Sequence, residues 1–285
     1  MISCIICSRN SDISLDLKKN INCSIGCDYE LIVIDNSRGN HSIFSAYNKG
    51  LLLAKGNVLC FFHEDIIFRC DNWGNIILDS FNQNINVGCV GVWGYQFLSE
   101  VEAPPWMSSP MVMGDFIQGG INNLGNYETI IEKASIEKLT EVVALDGLFL
   151  AIKKETFTFN RIKWDDITYN GFHMYDLDIC VQLLLSGYRN YVSPDILIEH
   201  KSYGNISGSY YKALSQFYAK WKHELPLERG INVAPNDMRW RTYLLTELKA
   251  YREMEKQYNT ISNSRAYRFG KYLIKPFKLF RNKNE

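Results

Sequence analysis

Residues 59–68 read LCFFHEDIIF, which sets His63, Glu64 and Asp65 inside an apolar run. Charges left in a core cost several kcal/mol each unless they are paired or bind a metal. Two readings are open. Either the strand has reached the surface and the polar triplet is its exit, or its carboxyl end carries a metal or substrate site. In an extended strand His63 and Asp65 share one face and Glu64 points away. An imidazole and a carboxylate would then be presented side by side.

The elements around this triplet favour a site. Strands are expected at 2–8, 29–37, 57–65 and 87–95, with helices at 12–21 (Asp12 near its start), 42–56 (stopped by Gly56) and 72–83. The strands are continuous apolar runs, as in a parallel sheet covered on both faces. Successive βα units imply a doubly wound α/β sheet, whose ligands sit beyond the carboxyl ends of the strands. Just past those ends lie Ser8-Arg9-Asn10, Asp35-Asn36-Ser37 and His63-Glu64-Asp65. Each is a plausible strand exit alone, and Asp35 reads equally as a turn residue. Three polar clusters on one rim point to a site.

Further along, residues 96–140 are rich in Pro and Gly and weakly periodic, and are expected to form a long loop region. Order returns with a strand in EVVALDGLFLAIKKETF, a helix over about 175–186 ended by Gly187, and two short strands, the second ending at His200. The last eighty or so residues are mainly helical. From 264 the chain is basic and aromatic, with Arg265, Arg268, Lys271 and Lys275 among Tyr267, Phe269 and Phe277. Such a segment can lie on an anionic membrane surface or pack on the domain with a solvated basic face.

Composition narrows the classes. The 285 residues carry 31 Lys+Arg and 31 Asp+Glu, and this balance argues against a general nucleic-acid partner. The N-terminal residues lack the basic region of a signal peptide and no run is long enough for a spanning helix, so a cytoplasmic protein is expected. Cys4, Cys7, Cys23 and Cys27 imitate a four-thiolate zinc pattern, but an odd spacing within a strand sends Cys4 and Cys7 to opposite faces. Reduced thiols are the better reading. Neither a GxxxxGK[ST] loop nor a GxGxxG after the first strand is present, so any nucleotide is held by side chains rather than by a glycine cradle.

With SRN after the first strand, VIDNS after the second, an acidic triplet after the third, then ALDGLFLAIKKETF, WDDITYNGFHMYDLDICVQLLLSGYRNYVSP and IEHKSYGN, the sequence resembles family 2 glycosyltransferases of the GT-A fold over residues 2–205. The resemblance implies an α/β fold with a Rossmann-like mixed sheet flanked by helices. A glycosyltransferase domain over 1–205 (nucleotide half 1–95, acceptor half 96–205) would be followed by a helical extension over 206–285. It also implies Mn²⁺ or Mg²⁺ at a D-x-D motif, which here reads His63-Glu64-Asp65. Asp65 is the first candidate ligand, His63 the substitute, and His200 the distal ligand, with a satisfied rim histidine as the other reading. Ser8, Asn10, Asp35, Asn48 and Glu64 fall on the donor nucleotide side. Asp146, Gly147 and Trp106 fall on the sugar and acceptor side.

The family's E-D pair reads Tyr175-Asp176, which makes Asp176 the implied general base and Asp178 a supporting or structural acid. Acids complementing the helix dipole are the structural alternative. The expected activity is inverting transfer of a sugar from a nucleotide-diphosphate sugar to a hydroxyl of a saccharide or lipid-linked acceptor, in surface polysaccharide or glycolipid synthesis. A nucleotidyltransferase, or a catalytically degenerate sugar-nucleotide or glycan-binding module, is the alternative.

Overall fold

Strand β1 (Ile2–Ser8), helix α1 (Leu15–Ser24), strand β2 (Tyr29–Asp35), helix α2 (Ile43–Leu53) and strand β3 (Val58–Phe62) open the computed structural model as two βαβ units. β1 pairs parallel with both β2 and β3. The structure describes residues 1–83, 86–109, 112–121, 127–134, 136–159, 162–202, 208–230 and 238–269. Alternation explains the unbroken apolar runs: Ile2, Cys4 and Ile6 of β1 enter one core with Leu17 and Ile21, while Ile5 and Cys7 join Phe44 and Tyr47 in the other. Each such side chain contributes about 2 kcal/mol when fully buried. Cys4 and Cys7 thus diverge, and all eight cysteines are free thiols. Helix α1 starts later than expected, at Leu15, capped by Ser14, whose hydroxyl accepts from Leu17 N–H at 3.2 Å. Asp12 instead accepts from Ile13 N–H at 2.8 Å.

Next come β4 (Ile66–Phe68), α3 (Trp73–Gln83), β5 (Val87–Gly91), β6 (Trp93–Tyr95), β7 (Phe97–Leu98), α4 (Pro105–Ser108), β8 (Val112–Ile121), β9 (Tyr127–Ala134), β10 (Thr140–Val142) and β11 (Ala144–Leu145). The chain continues through β12 (Phe149–Lys153), α5 (Lys154–Phe159), α6 (Tyr175–Leu185), β13 (Arg189–Val192), β14 (Ile198–His200), α7 (Gly208–Trp221), β15 (Leu227–Glu228) and α8 (Met238–Asn263). The main sheet has the order β10-β13-β5-β12-β3-β1-β2. It is mixed, because β12 runs antiparallel to both β3 and β5. A second sheet follows β11-β6-β8-β14-β4, with β9 paired to β8.

Two expectations change. Residues 96–140 are not a plain loop: they contain β7, α4 and the antiparallel pair β8–β9. β8 is only partly buried and carries three glycines, so its strand state comes from pairing with β6 and β14 rather than from its own pattern. The single strand expected after 141 is β10, β11 and β12. The break is the Asp146-Gly147 turn, where Asp146 Oδ1 accepts from Leu148 N–H at 3.0 Å.

Residues 1–100 and 104–232 form one compact unit, and 101–103 with 233–285 a second. Helix α7 belongs to the first, where Tyr210, Leu214 and Phe217 enter the core. In the second, Arg252 of α8 pairs with Glu102 and Glu255. The basic tail beyond 269 lies outside the described residues. No described helix is long and apolar enough to cross a membrane.

Candidate active site

Strand register, not sequence proximity, assembles the first cluster. β14 pairs antiparallel with β4 so that His200 lies opposite Ile66, and Lys201 N–H donates to Asp65 O at 2.8 Å. Asp65 therefore meets His200, whose Nε2 stands 3.5 Å from Asp65 Oδ1. His63, on the same face as Asp65, brings Nδ1 to 3.9 Å of that oxygen. One donor atom from each of His63, Asp65 and His200 lies within 4.8 Å of the others. Burial disfavours a charged Asp65, but the adjoining His200 and the Ser202 hydroxyl outweigh it and hold the carboxyl well below its usual range. Burial, then the neighbouring His200, pushes His63 down.

Glu64 points away from this cluster, as alternation requires, and finds a task of its own. It accepts from Ser8 Oγ and, at 3.0 Å, from Arg9 N–H. It thereby fastens the loop after β1 to the end of β3. Asn10 N–H closes the loop on Ser8 Oγ at 3.1 Å, and its side chain is exposed. Asp35 lies level with Ser8 across the β1–β2 ladder, exposed, accepting from Ser37 N–H at 2.9 Å. Asn36 shapes the following loop by donating to His41 O at 2.9 Å and accepting from His41 N–H at 2.8 Å. Asn48 is engaged elsewhere: its amide donates to Trp164 O at 2.8 Å.

The second cluster forms where the Asp146-Gly147 turn meets the first turn of α6. Met174, just ahead of the helix, has φ +68°, a conformation L side chains seldom adopt, which sets the entry angle of Tyr175 and Asp176. Asp176 accepts from Leu177 N–H and Gly147 N–H, each at 2.9 Å. Burial, then the nearby Asp146 carboxyl, pushes its pKa up to about 7. A Cβ at Gly147 would lie 2.0 Å from Tyr175 Oη, so any larger residue there would displace the phenol. The same phenol donates to Gly147 O at 3.0 Å and meets His63 Nε2 at 2.7 Å.

Asp178 belongs to neither cluster. At 1% exposure it accepts from Tyr169 Oη (3.1 Å), Gln182 Nε2 (2.7 Å), Lys220 Nζ (2.8 Å) and Trp221 Nε1 (2.8 Å). Its carboxylate docks α7 onto α6. Trp106, 43% exposed, stands 5.4 Å from the ring of Tyr210. Tyr210 is buried, and its hydroxyl has no hydrogen-bond partner among the described residues. Gln118 and Tyr210 carried no signal in the sequence, because nothing local marks them, whereas Ser202 was visible within the IEHKSYGN segment. Tyr175 was visible only as an unusual neighbour of Asp176.

The fold is a mixed α/β sheet, with polar residues past the ends of β1, β2 and β3 and a His/Asp/His cluster beside β3. Residues 1–213 match the family described as "Glycosyltransferase like family", and the chain belongs to that family. No curated protein matches it in sequence. Among solved structures, A197 from STIV is 14% identical, covering 72% of this chain and 86% of that one, with a TM-score of 0.37. GalNAc-T7 with UDP, GalNAc and Mn²⁺ is 11% identical over 92% of this chain and 57% of that one, at TM-score 0.48. S. aureus TarS 1-349 in complex with UDP-GlcNAc is 12% identical over 77% and 65%, also at 0.48. The chain thus spans less than two thirds of the length of these last two.

Proposed function

We propose that the chain is an inverting glycosyltransferase that moves a sugar from a nucleotide-diphosphate sugar to a hydroxyl of a saccharide or lipid-linked acceptor. The observation that carries this reading is the Gly147 peptide. Its N–H holds Asp176, a carboxyl poised at about 7, and its C=O holds the phenol that contacts His63. A base and a ligand cluster thus flank one short stretch of backbone. Asp176 removes the acceptor proton as the hydroxyl oxygen attacks the anomeric carbon and the diphosphate departs from the opposite face. A carboxyl titrating near neutrality suits that role. The sugar passes through an oxocarbenium-like state.

His63, Asp65 and His200 fit a divalent cation, since two imidazoles and a carboxylate converge within bonding reach of one ion. The two nitrogen donors favour Mn²⁺ over Mg²⁺, which prefers oxygen. Such an ion would neutralise charge on the leaving diphosphate as a Lewis acid. Ser8, Asn10 and Asp35 face the donor nucleotide, with Glu64 holding the loop of the first two. Asp146, Trp106 and Tyr210 line the sugar and acceptor side. A role in surface polysaccharide or glycolipid synthesis at the inner face of a membrane follows if the basic tail binds anionic lipid. Deleting 264–285 must then abolish co-sedimentation with anionic vesicles.

Thermal-shift screening against UDP-, GDP- and dTDP-sugars, with and without Mn²⁺, tests the reading. Stabilisation by one nucleotide that depends on Mn²⁺ supports it. Binding of a donor with no turnover on any acceptor would instead favour a binding module.

A further inference from the structure

The two histidines of the cluster are each held from behind, and the holding groups determine which nitrogen faces Asp65. Tyr175 has one hydroxyl hydrogen, and the 3.0 Å contact with the Gly147 carbonyl occupies it. At the 2.7 Å contact with His63 the phenol oxygen must therefore accept, so the hydrogen is on Nε2. His63 Nδ1 is then left with its lone pair, directed to the side where Asp65 Oδ1 stands at 3.9 Å. His200 is arranged the opposite way round. The Gln118 amide NH₂ donates to Gly119 O at 2.7 Å and Ser202 O at 2.8 Å, which leaves Oε1 toward His200 Nδ1 at 3.4 Å. That contact requires hydrogen on Nδ1 and frees Nε2, the nitrogen 3.5 Å from Asp65 Oδ1. Ser202 Oγ completes the set by donating to the other oxygen of Asp65.

We propose that Tyr175 and Gln118 are positioning residues that fix His63 and His200 in opposite tautomers, presenting Nδ1 of one and Nε2 of the other, together with Asp65, to a single divalent cation. This rests on the metal-assisted reading above. Outer partners of this kind raise metal affinity by fixing ring and tautomer, and their loss typically weakens binding about 10–100-fold. Tyr175 also makes the arrangement two-sided. It is buried against Phe44 and Tyr47, and the Gly147 peptide joins it to Asp176. Cation site and base are consequently set by one side chain.

Nitrogen-15 imidazole spectra of the metal-free wild-type chain at pH 8, assigned with His63→Ala and His200→Ala, read the tautomers directly. Nε2–H on His63 and Nδ1–H on His200 are expected, and the reverse on either ring overturns the proposal. Mn²⁺ titration, followed by the electron paramagnetic resonance of the free ion with UDP present, gives the second readout. Tyr175→Phe and Gln118→Met should each weaken binding at least tenfold, whereas Tyr175→Phe added to His63→Ala should cause no further loss. Wild-type affinity in Tyr175→Phe, with the fold intact by circular dichroism, would sink the positioning role alone. Failure of the wild type to bind Mn²⁺ or Mg²⁺ would sink the cation reading itself, and the proposal with it.

Discussion

Two carboxylates two residues apart on α6 live in opposite surroundings. Asp178, on the face that meets α7, is enclosed by donors, among them the ammonium of Lys220 and the indole of Trp221. Asp176, in the first turn, has only backbone N–H partners and a second acid nearby. Residues at i and i+2 do not share a helix face, so one turn of helix can serve two masters. Where a carboxylate meets a cation and neutral donors it becomes a structural pin. Where it is buried beside another acid, it becomes a group that holds a proton near neutral pH and can exchange it.

The largest effect expected from this contrast is on turnover. Asp176→Asn keeps the shape and removes the proposed base, and should lower kcat by about 10²–10⁴-fold while donor affinity, measured by calorimetry, stays near wild type. Asp178→Ala should instead unfold the protein more readily. It strips an acceptor from Tyr169, Gln182 and Trp221 and leaves Lys220 with Asp165 alone. A loss of about 3 kcal/mol in denaturant unfolding is expected, with turnover per folded molecule largely kept. If the folded Asp178→Ala variant proved as inactive as Asp176→Asn, the division between pin and base would collapse.

How much of this contrast the sequence could reveal follows from distance along the chain. The strands β1, β2 and β3 and their loops were legible because each is a continuous apolar run ending in polar residues, a local signal. His63 and Asp65 could be placed on one face by alternation alone. His200 joins them through a register between residues 66 and 200, which no local pattern encodes. Asp178 looked like a dipole acid or a catalytic one because Lys220 and Trp221 arrive from a helix some forty residues later. The β8–β9 pair was hidden for the same reason. Its partners β6 and β14 lie outside it, and its own residues are too mixed to announce a strand.

A finer test concerns pH. With Asp176 titrating at about 7, kcat/KM should rise tenfold per pH unit below that value and level off above it, since only the ionised form accepts the acceptor proton. Asp146 contributes to the upward shift, and Asp146→Asn preserves the hydrogen bond accepted from Leu148 N–H. That variant should move the break to lower pH. A break that stays in place would mean that burial alone sets it.

The smallest effect, in the melting temperature, separates the two carboxylates by sign. For Asp176 the folded pKa, about 7, exceeds the unfolded value of roughly 3.9. At low pH both states are protonated and the site carries no penalty. As pH rises through the window between those values the unfolded chain ionises first, so stability falls, and above about 7 the full cost of a buried charge is present. Asp176→Asn removes that cost. Its melting temperature should match wild type near pH 4 and exceed it by a few degrees at pH 8, at about 2–4 °C for each kcal/mol recovered. Asp178→Asn should melt below wild type at pH 8, because the Lys220 and Trp221 contacts lose their charged acceptor. Stabilisation at one position and destabilisation two residues away, read in the same buffer by calorimetry, would distinguish a strained catalytic carboxylate from a structural one without any knowledge of the substrate.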